Sequence, residues 1–141
     1  MTSDEPTAGR YEGRVHQLPV RIYYEDTDFT GLVYHANYLR YCERGRSDAL
    51  RVAGVHHSLL LEQPEALGFA VNRITLEFLK PARIDEALVV KTTFDAVRGP
   101  RLLISQRIER SGELLVTAAV QVCCISRSEE HTSELQSLAY L

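Results

Sequence analysis

Residues 34–53 read YHANYLRYCERGRSDALRVA, and apolar or small side chains recur along them at steps of three and four. This spacing places those side chains on one face of a helix, so it predicts one long amphipathic helix. Gly54 is a suitable C-terminal stop for that helix. The predicted buried face consists of Tyr38, Tyr41, Cys42, Gly45, Ala49, Val52 and Ala53. A short second helix is expected over residues 57–66, where Pro64 bends or interrupts it.

Apolar side chains alternate with polar ones in four stretches after this helix, which predicts four strands. The predicted strands are residues 68–80, 86–97, 101–110 and 113–126, and a further strand around residues 20–24 precedes the helix. Turn sequences between the later strands make tandem hairpins, which favours antiparallel pairing. The predicted order is β-α-β-β-β-β, and one helix on one face of such a sheet is an α+β architecture.

The length of 141 residues corresponds to one domain. Residues 1–14 are polar without periodicity, so we expect a disordered leader, followed by the domain itself over residues 15–126. Residues 127–141 break the strand pattern, and the segment RSEEHTSELQS at 127–137 reads like the translation of a sequencing-library adapter. We therefore interpret residues 127–141 as a non-native or disordered tail and exclude them from functional reasoning.

Composition excludes several classes of protein. Sixteen Lys and Arg against 19 Asp and Glu give a net charge of −3, which argues against a nucleic-acid-binding protein. No apolar stretch is long enough to cross a membrane, and residues 1–14 contain no apolar core of a secretory signal. Three cysteines are too few for a disulfide framework. We expect a soluble, cytoplasmic protein.

No sequence pattern indicates a metal or a cofactor. The five histidines lack metal-ligand spacing, since His56 and His57 are adjacent and cannot share one helical face. Neither a glycine-rich phosphate loop nor a GxSxG nucleophile motif is present. We therefore expect a site without metal or cofactor.

The densest group of candidate functional residues is the segment YEDTDFTGLVYHANY at 24–38, which leads through an acidic loop into the long helix. The first turn of a helix presents unpaired backbone N–H groups that can polarise a carbonyl oxygen. A carboxylate near such a turn stays ionised and can attack a carbonyl or deprotonate water. Asp28 lies about six residues before the helix, too far for an N-cap, so it is the catalytic candidate.

The neighbours of this carboxylate have several readings. Acidic loops before helices are common as turns and caps, and Asp26 fits the turn-forming role. For His35 the alternatives are a general acid or base, a substrate contact, or a polar residue of the first helical turn. We favour a role in which its side chain lines the site and its backbone N–H binds the oxyanion. The Asn37 side chain is expected to form a hydrogen bond either with the loop backbone or with substrate, and we favour the loop backbone. Gly31 allows a close approach of ligand or a positive φ.

Residues 23–47, YYEDTDFTGLVYHANYLRYCERGRS, closely resemble the signature of hotdog-fold acyl-CoA thioesterases. The resemblance is nearest to the YbgC type, the Tol-Pal-associated relatives of 4-hydroxybenzoyl-CoA thioesterases, and extends over about residues 17–126. It implies an antiparallel sheet wrapped around one long central helix, in agreement with the order of elements. The second Asp of the family motif D-x-D-x-x-G-x-V, its catalytic carboxylate, falls on Asp28, and the oxyanion-binding amide falls on His35. The resemblance implies that Tyr24, Gly31, Val33 and Tyr34 line or shape the site, and Asn37 joins them as a substrate-binding candidate from its position at the helix start.

The resemblance also implies partners. The family needs no metal or prosthetic group, and its sites lie at a dimer interface, so a homodimer or homotetramer is expected. An acyl carrier protein is an alternative carrier to CoA, and the Tol-Pal association implies nearness to envelope machinery without membrane insertion. Candidates to contact CoA phosphates are Arg73, Lys80, Arg83, Arg98 and Arg101.

The predicted reaction is hydrolysis of an acyl-CoA, or an acyl-carrier thioester, to the free acid and the thiol. Asp28 acts as nucleophile or general base, and the helix N-terminus stabilises the oxyanion. One alternative is a hotdog hydratase or dehydratase, in which His35 paired with Asp28 transfers a proton. Another is a non-catalytic module that binds an acyl carrier or envelope proteins.

Overall fold

The computed structural model of the chain describes residues 4–62 and 67–126. These residues form six strands, two helices and one short 3-10 turn. The elements are β1 (Arg10–Glu12), β2 (Val15–Arg21), the 3-10 turn (Tyr24–Asp26), α1 (Ala36–Val52), α2 (His57–Leu61), β3 (Leu67–Phe78), β4 (Ala87–Arg98), β5 (Arg101–Arg110) and β6 (Glu113–Ser126). The predicted tail at 127–141 lies outside the described residues, as does Pro64.

All six strands join one antiparallel sheet in the order β1-β2-β4-β5-β6-β3, and α1 packs on one face of it. The predicted α+β class and hotdog architecture are therefore confirmed. β3 ends at Phe78, because the amides of Leu79 and Lys80 both turn to the carbonyl of Leu115. No helix among the described residues has the length and apolar character needed to span a membrane.

The predicted disordered leader is wrong at residues 10–12, which form β1. Tyr11 pairs with His16 in the sheet, and the Tyr11 hydroxyl donates to the carbonyl of Ala49 in α1 at 2.8 Å. The Gly9 amide also donates to the carboxylate of Asp48, 2.8 Å away. A three-residue strand is too short to be recognised from alternation in the sequence. In the structure, the long-range contacts of Tyr11 and Gly9 stabilise it.

The strand expected around residues 20–24 is displaced towards the N-terminus. β2 ends at Arg21, because the chain turns at Tyr24 into the 3-10 turn. The predicted helix agrees with α1 to within two residues at either end. The helical period predicts Val52 on the buried face, but Val52 is 43% exposed and Leu50 is buried instead. This change occurs in the last turn of α1.

The core-facing sides of β4 and β5 follow the alternation, with a buried polar cluster at the centre. In β6 the alternation fails at its start, where Leu115 is buried in place of Leu114. Gln106 is buried, and its side-chain amide donates to the Cys42 carbonyl at 2.8 Å and to the Thr92 hydroxyl at 2.9 Å. Gly45 lies over this cluster, and a Cβ there would stand 2.7 Å from Cγ1 of Val90. The missing side chain therefore lets α1 approach the sheet closely.

Candidate active site

The acidic loop between the 3-10 turn and α1 is a compact hairpin-like turn. Thr27 and Val33 form an antiparallel bridge, and the Asp28 amide donates to the Leu32 carbonyl at 2.8 Å. Gly31 has a φ of 79°, in the left-handed region that favours glycine. The predicted positive φ of Gly31 is therefore confirmed, and it closes the turn that presents Asp28.

The carboxylate of Asp28 is exposed at the tip of this loop and is held by one neighbour. Its Oδ1 accepts hydrogen bonds from the Thr30 hydroxyl at 2.6 Å and from the Thr30 amide at 2.8 Å. These two bonds lower the pKa of Asp28 below its ordinary value, the hydroxyl contributing most. Asp28 is therefore ionised near neutral pH, as a carboxylate nucleophile or base must be.

Asp26 connects the loop to the start of α1. Its carbonyl accepts the Tyr34 amide and the Asn37 side-chain amide, both at 2.9 Å, while its carboxylate accepts the Tyr23 amide at 2.7 Å. Asn37 is buried, so the favoured loop-bonding reading is confirmed. One donor of the Asn37 side-chain amide is therefore engaged by the loop, and its assignment to substrate binding stays a prediction.

The N-terminus of α1 leaves two backbone donors open. His35 is the N-cap residue, and within the described part of the chain neither its amide nor that of Ala36 has a hydrogen-bond acceptor. The first turn of α1 also carries no acidic side chain, so its positive end is not neutralised within the turn. Two such donors beside an ionised carboxylate suit the polarisation of a carbonyl group.

A cleft of about 320 Å³ brings the carboxylate and the helix start together. It is lined by Asp28, Leu32, Val33, Tyr34, His35, Tyr38, Phe78, Leu79, Lys80 and Pro81. The predicted residues Asp28, Val33, Tyr34 and His35 thus share one cleft. Gly31 and Tyr24 do not line it: Gly31 shapes the loop, and Tyr24 is 84% exposed in the 3-10 turn.

The opposite wall of the cleft was missed by the sequence reasoning, apart from Lys80 as a phosphate candidate. Phe78 and Leu79 come from the end of β3, and the Phe78 ring lies 6.4 Å from the His35 ring, measured between centroids. The Tyr38 hydroxyl accepts the amide of Ala82 at 3.0 Å, which fixes this wall against α1. Only the tertiary fold brings these residues together; the one local signal was Pro81, which ends the strand pattern.

Charged groups near the cleft are largely paired. Lys80 binds Glu113 at 2.6 Å, and Arg110 binds both Glu113 and Glu86. No group of His, Cys, Asp and Glu among the described residues has the geometry of a metal site. The chemistry available at the cleft is therefore that of one carboxylate, two backbone donors and an apolar wall.

Comparison with known proteins identifies the family. The profile of the Thioesterase-like superfamily matches residues 23–137. The chain belongs to the thioesterase-like superfamily. It is 40% identical over 108 residues to the acyl-CoA thioesterase YbgC of Haemophilus influenzae, which covers 77% of this chain and 79% of that protein. It is 41% identical over 110 residues to the acyl-CoA thioester hydrolase YbgC of Escherichia coli O6:H1, covering 76% of this chain and 79% of that one.

A solved structure supports the same assignment. A probable thioesterase from Bartonella henselae superimposes with a TM-score of 0.82 at 39% identity, over 86% of this chain and 98% of that chain. The predicted resemblance to YbgC-type hotdog thioesterases and the predicted enzyme class, a thioester hydrolase, are confirmed by these matches.

Proposed function

We propose that this member of the thioesterase-like superfamily hydrolyses acyl-CoA to the free acid and CoA thiol, with Asp28 and the N-terminus of α1 as its catalytic groups. The observation that carries the proposal is the shared cleft, which is lined by the ionised Asp28 and by His35 at the start of α1. The amides of His35 and Ala36 have no acceptor among the described residues. The names of the YbgC relatives support the substrate class.

The thioester carbonyl lies with its oxygen at the amides of His35 and Ala36, where charge that develops on the oxygen is stabilised. Asp28 then acts on the carbonyl carbon directly, forming a mixed anhydride and releasing the thiolate, or it deprotonates the attacking water. Thr30 orients the carboxylate for either role. The apolar wall formed by Phe78 and Leu79 accommodates the acyl group.

The decisive experiment measures hydrolysis of an acyl-CoA panel by wild type and by Asp28→Asn. We expect kcat/KM to fall on the order of 10²-fold or more, because the substitution removes the nucleophile or base without changing its size. Glu25→Gln is the matched control: it neutralises an exposed carboxylate in the adjacent turn outside the cleft and should leave activity unchanged. Equal activity of Asp28→Asn and wild type would remove Asp28 from the mechanism.

Labelled water tests the nucleophilic role of Asp28. In a single turnover in H₂¹⁸O, a mixed anhydride opened by water at the Asp28 carbonyl leaves ¹⁸O in the Asp28 carboxylate, which a general base never acquires. Label found in the product acid alone excludes that route and leaves either general-base catalysis or attack of water at the acyl carbonyl. Mass spectrometry of the peptide that contains residues 22–40 detects the label in Asp28.

We further propose that the active enzyme is a homodimer or homotetramer, in which a second copy covers the cleft. Tyr34, Phe78 and Leu79 each expose about half of their side chains around it, and Phe29 is fully exposed. β3 is an edge strand of 12 residues in the described sheet, and such edges pair readily with a second chain. Light scattering on the purified protein tests this assembly; a monomer with full activity would refute it.

The remaining proposals concern carrier and location. CoA phosphates are assigned to the candidates Arg73, Lys80, Arg83, Arg98 and Arg101, of which Lys80 lies in the cleft. Comparing acyl-CoA with an acyl-carrier-protein thioester at equal concentration decides the preferred carrier. A cytoplasmic location and an association with Tol-Pal machinery follow from the YbgC resemblance, and fractionation of cells that express the tagged chain tests the location.

The hydratase alternative has less support than hydrolysis. It requires a proton-transferring His paired with a carboxylate, whereas the His35 ring packs against Tyr34, with centroids 4.5 Å apart, and against Phe78. Among the described residues, no hydrogen bond joins His35 to Asp28. An enoyl-CoA hydration assay is the direct comparison.

A further inference from the structure

The acidic loop before α1 is bonded along one side to residues 81–86, the supporting segment, which precedes β4. The Val33 amide donates to the Ala82 carbonyl at 2.9 Å, and the Ile84 amide donates to the Gly31 carbonyl at 3.1 Å. These two bonds flank an antiparallel bridge between the loop and the segment. A shift of the supporting segment would therefore move the loop with it.

The supporting segment is held in turn by Arg110, the last residue of β5. Its Nη1 forms hydrogen bonds with both carboxylate oxygens of Glu86, at 2.9 and 3.2 Å, and with the Pro81 carbonyl at 3.2 Å. The Glu86 carboxylate also accepts the Arg83 amide at 2.6 Å. One guanidinium thus binds both ends of the segment, and Glu86 connects that charge to the backbone in its middle.

Arg110 is itself anchored in the hairpin of β5 and β6. It lies opposite Glu113 in the sheet, and its Nη2 donates to the Glu113 carboxylate. The turn residues Ser111 and Gly112 have positive φ angles of 48° and 83°, which suit the twist of the two strands. The side chains of Arg110 and Glu86 are only 25% and 28% exposed, so water screens their ion pair less than a pair on the open surface. The guanidinium therefore connects the supporting segment to the sheet.

We propose that Arg110 and Glu86 are positioning residues for the reaction at Asp28. Their ion pair fixes the supporting segment, and the segment fixes the place of the carboxylate in the cleft. Neither side chain belongs to the described lining of the cleft, so both act through the backbone and not by touching substrate. A displacement of about 1 Å can lower the rate on the order of 10²-fold, so this support matters for catalysis. The inference rests on the proposed function of Asp28.

The test compares kcat and KM for acyl-CoA hydrolysis in Arg110→Gln, Glu86→Gln and the double variant. Each single substitution should lower kcat about tenfold and change KM less than about threefold, because the residues that line the cleft are retained. The double variant should lose no more than a single variant, since the two side chains act as one pair. Arg107→Gln is the matched control: it removes an arginine of the same strand whose ion pair is with Glu109, and it should leave kcat unchanged.

Hydrogen exchange separates positioning from a general loss of stability. In Arg110→Gln the amides of Val33 and Ile84 should exchange on the order of tenfold faster, because both donate between the loop and the supporting segment. Amides in the centre of β5, and all these amides in the control variant, should keep their wild-type rates. Arg110→Lys retains the charge but lacks the planar fork that reaches three acceptors, so it should recover kcat only in part. If Arg110→Gln does not fold, Glu86→Gln and Arg110→Lys provide the same comparison.

The positioning role is overturned if Arg110→Gln and Glu86→Gln keep the wild-type kcat while Asp28→Asn is inactive. It is also overturned if kcat falls without faster exchange at Val33 and Ile84, or if the two losses multiply in the double variant. Failure of the proposed function gives a different result, in which Asp28→Asn is as active as wild type, and that result overturns both proposals.

Discussion

The substitution Gly45→Ala has two opposing effects on stability: it favours the helix, and it crowds the buried contact between α1 and the sheet. The structure indicates which effect is larger. In an isolated helix, replacing glycine by alanine stabilises by about 1 kcal/mol. In this fold, the new Cβ would lie 2.7 Å from Cγ1 of Val90, 3.1 Å from the Thr92 hydroxyl and 3.2 Å from Nε2 of Gln106. All three neighbours are buried, and the two β-branched side chains have restricted rotamers, so they cannot move aside easily.

The expected result is net destabilisation. Overpacking of a tight core costs about 1–3 kcal/mol, and loss of a buried hydrogen bond at Gln106 adds about 1–3 kcal/mol. After subtraction of the helix gain of about 1 kcal/mol, the free energy of unfolding should fall by about 1–5 kcal/mol. With a urea dependence of about 1–3 kcal/mol per molar, the unfolding midpoint should drop on the order of 1 M.

Urea unfolding at one fixed protein concentration measures this change, because self-association would make stability depend on concentration. Gly68→Ala is the matched control: nothing lies within 4 Å of its added Cβ, and its backbone φ is not positive. It should change stability by less than about 1 kcal/mol, in either direction. A Gly45→Ala protein as stable as wild type, or more stable, would show that α1 does not lie as close to the sheet as described.

Three further perturbations test the site and the fold. Thr30→Val removes the hydrogen bond that contributes most to the lowered pKa of Asp28. Because Asp28 must be ionised to act, the acid limb of the pH profile of kcat/KM should move to higher pH. An unmoved limb would contradict the role of Thr30 in keeping Asp28 ionised. Asn37→Ala leaves the Asp26 carbonyl without that donor and should lower the free energy of unfolding by about 1–3 kcal/mol in urea titrations, together with a lower kcat from a displaced loop. Tyr11→Phe removes a hydrogen bond to α1 and should cost about 0.5–1.5 kcal/mol in the same titrations, whereas a disordered leader would give no change.

Local periodicity accounts for what the sequence predicted correctly. The steps of three and four identify α1, and strict alternation identifies the buried sides of β4 and β5, including the polar Gln106. The motif around Asp28 is local as well, so the loop and the helix start could be assigned together. These features depend on residues that are neighbours in sequence, so a single sequence is enough to predict them.

The features that were missed depend on distant parts of the chain. β1 is stable because Tyr11 and Gly9 bond to α1, nearly 40 residues later. The cleft wall at Phe78 faces His35 because the Leu115 carbonyl ends β3 and the chain then turns towards α1. Val52 follows the helical period but is exposed, whereas Leu50 in the same turn is buried. Periodicity gives the face of an element, not the extent of its tertiary contact.

The proposed catalytic groups are positioned by the core rather than by the loop that carries one of them. Ala82, which is fully buried, donates its amide to the Tyr38 hydroxyl and accepts the Val33 amide at 2.9 Å, so one residue links the loop to α1. Deeper in the fold, Gln106 bonds the Cys42 carbonyl of the same helix. The donors at the start of α1 are therefore held before substrate arrives, as stabilisation of a developing oxyanion requires. These buried contacts therefore also determine the position of Asp28 at the exposed tip of the loop.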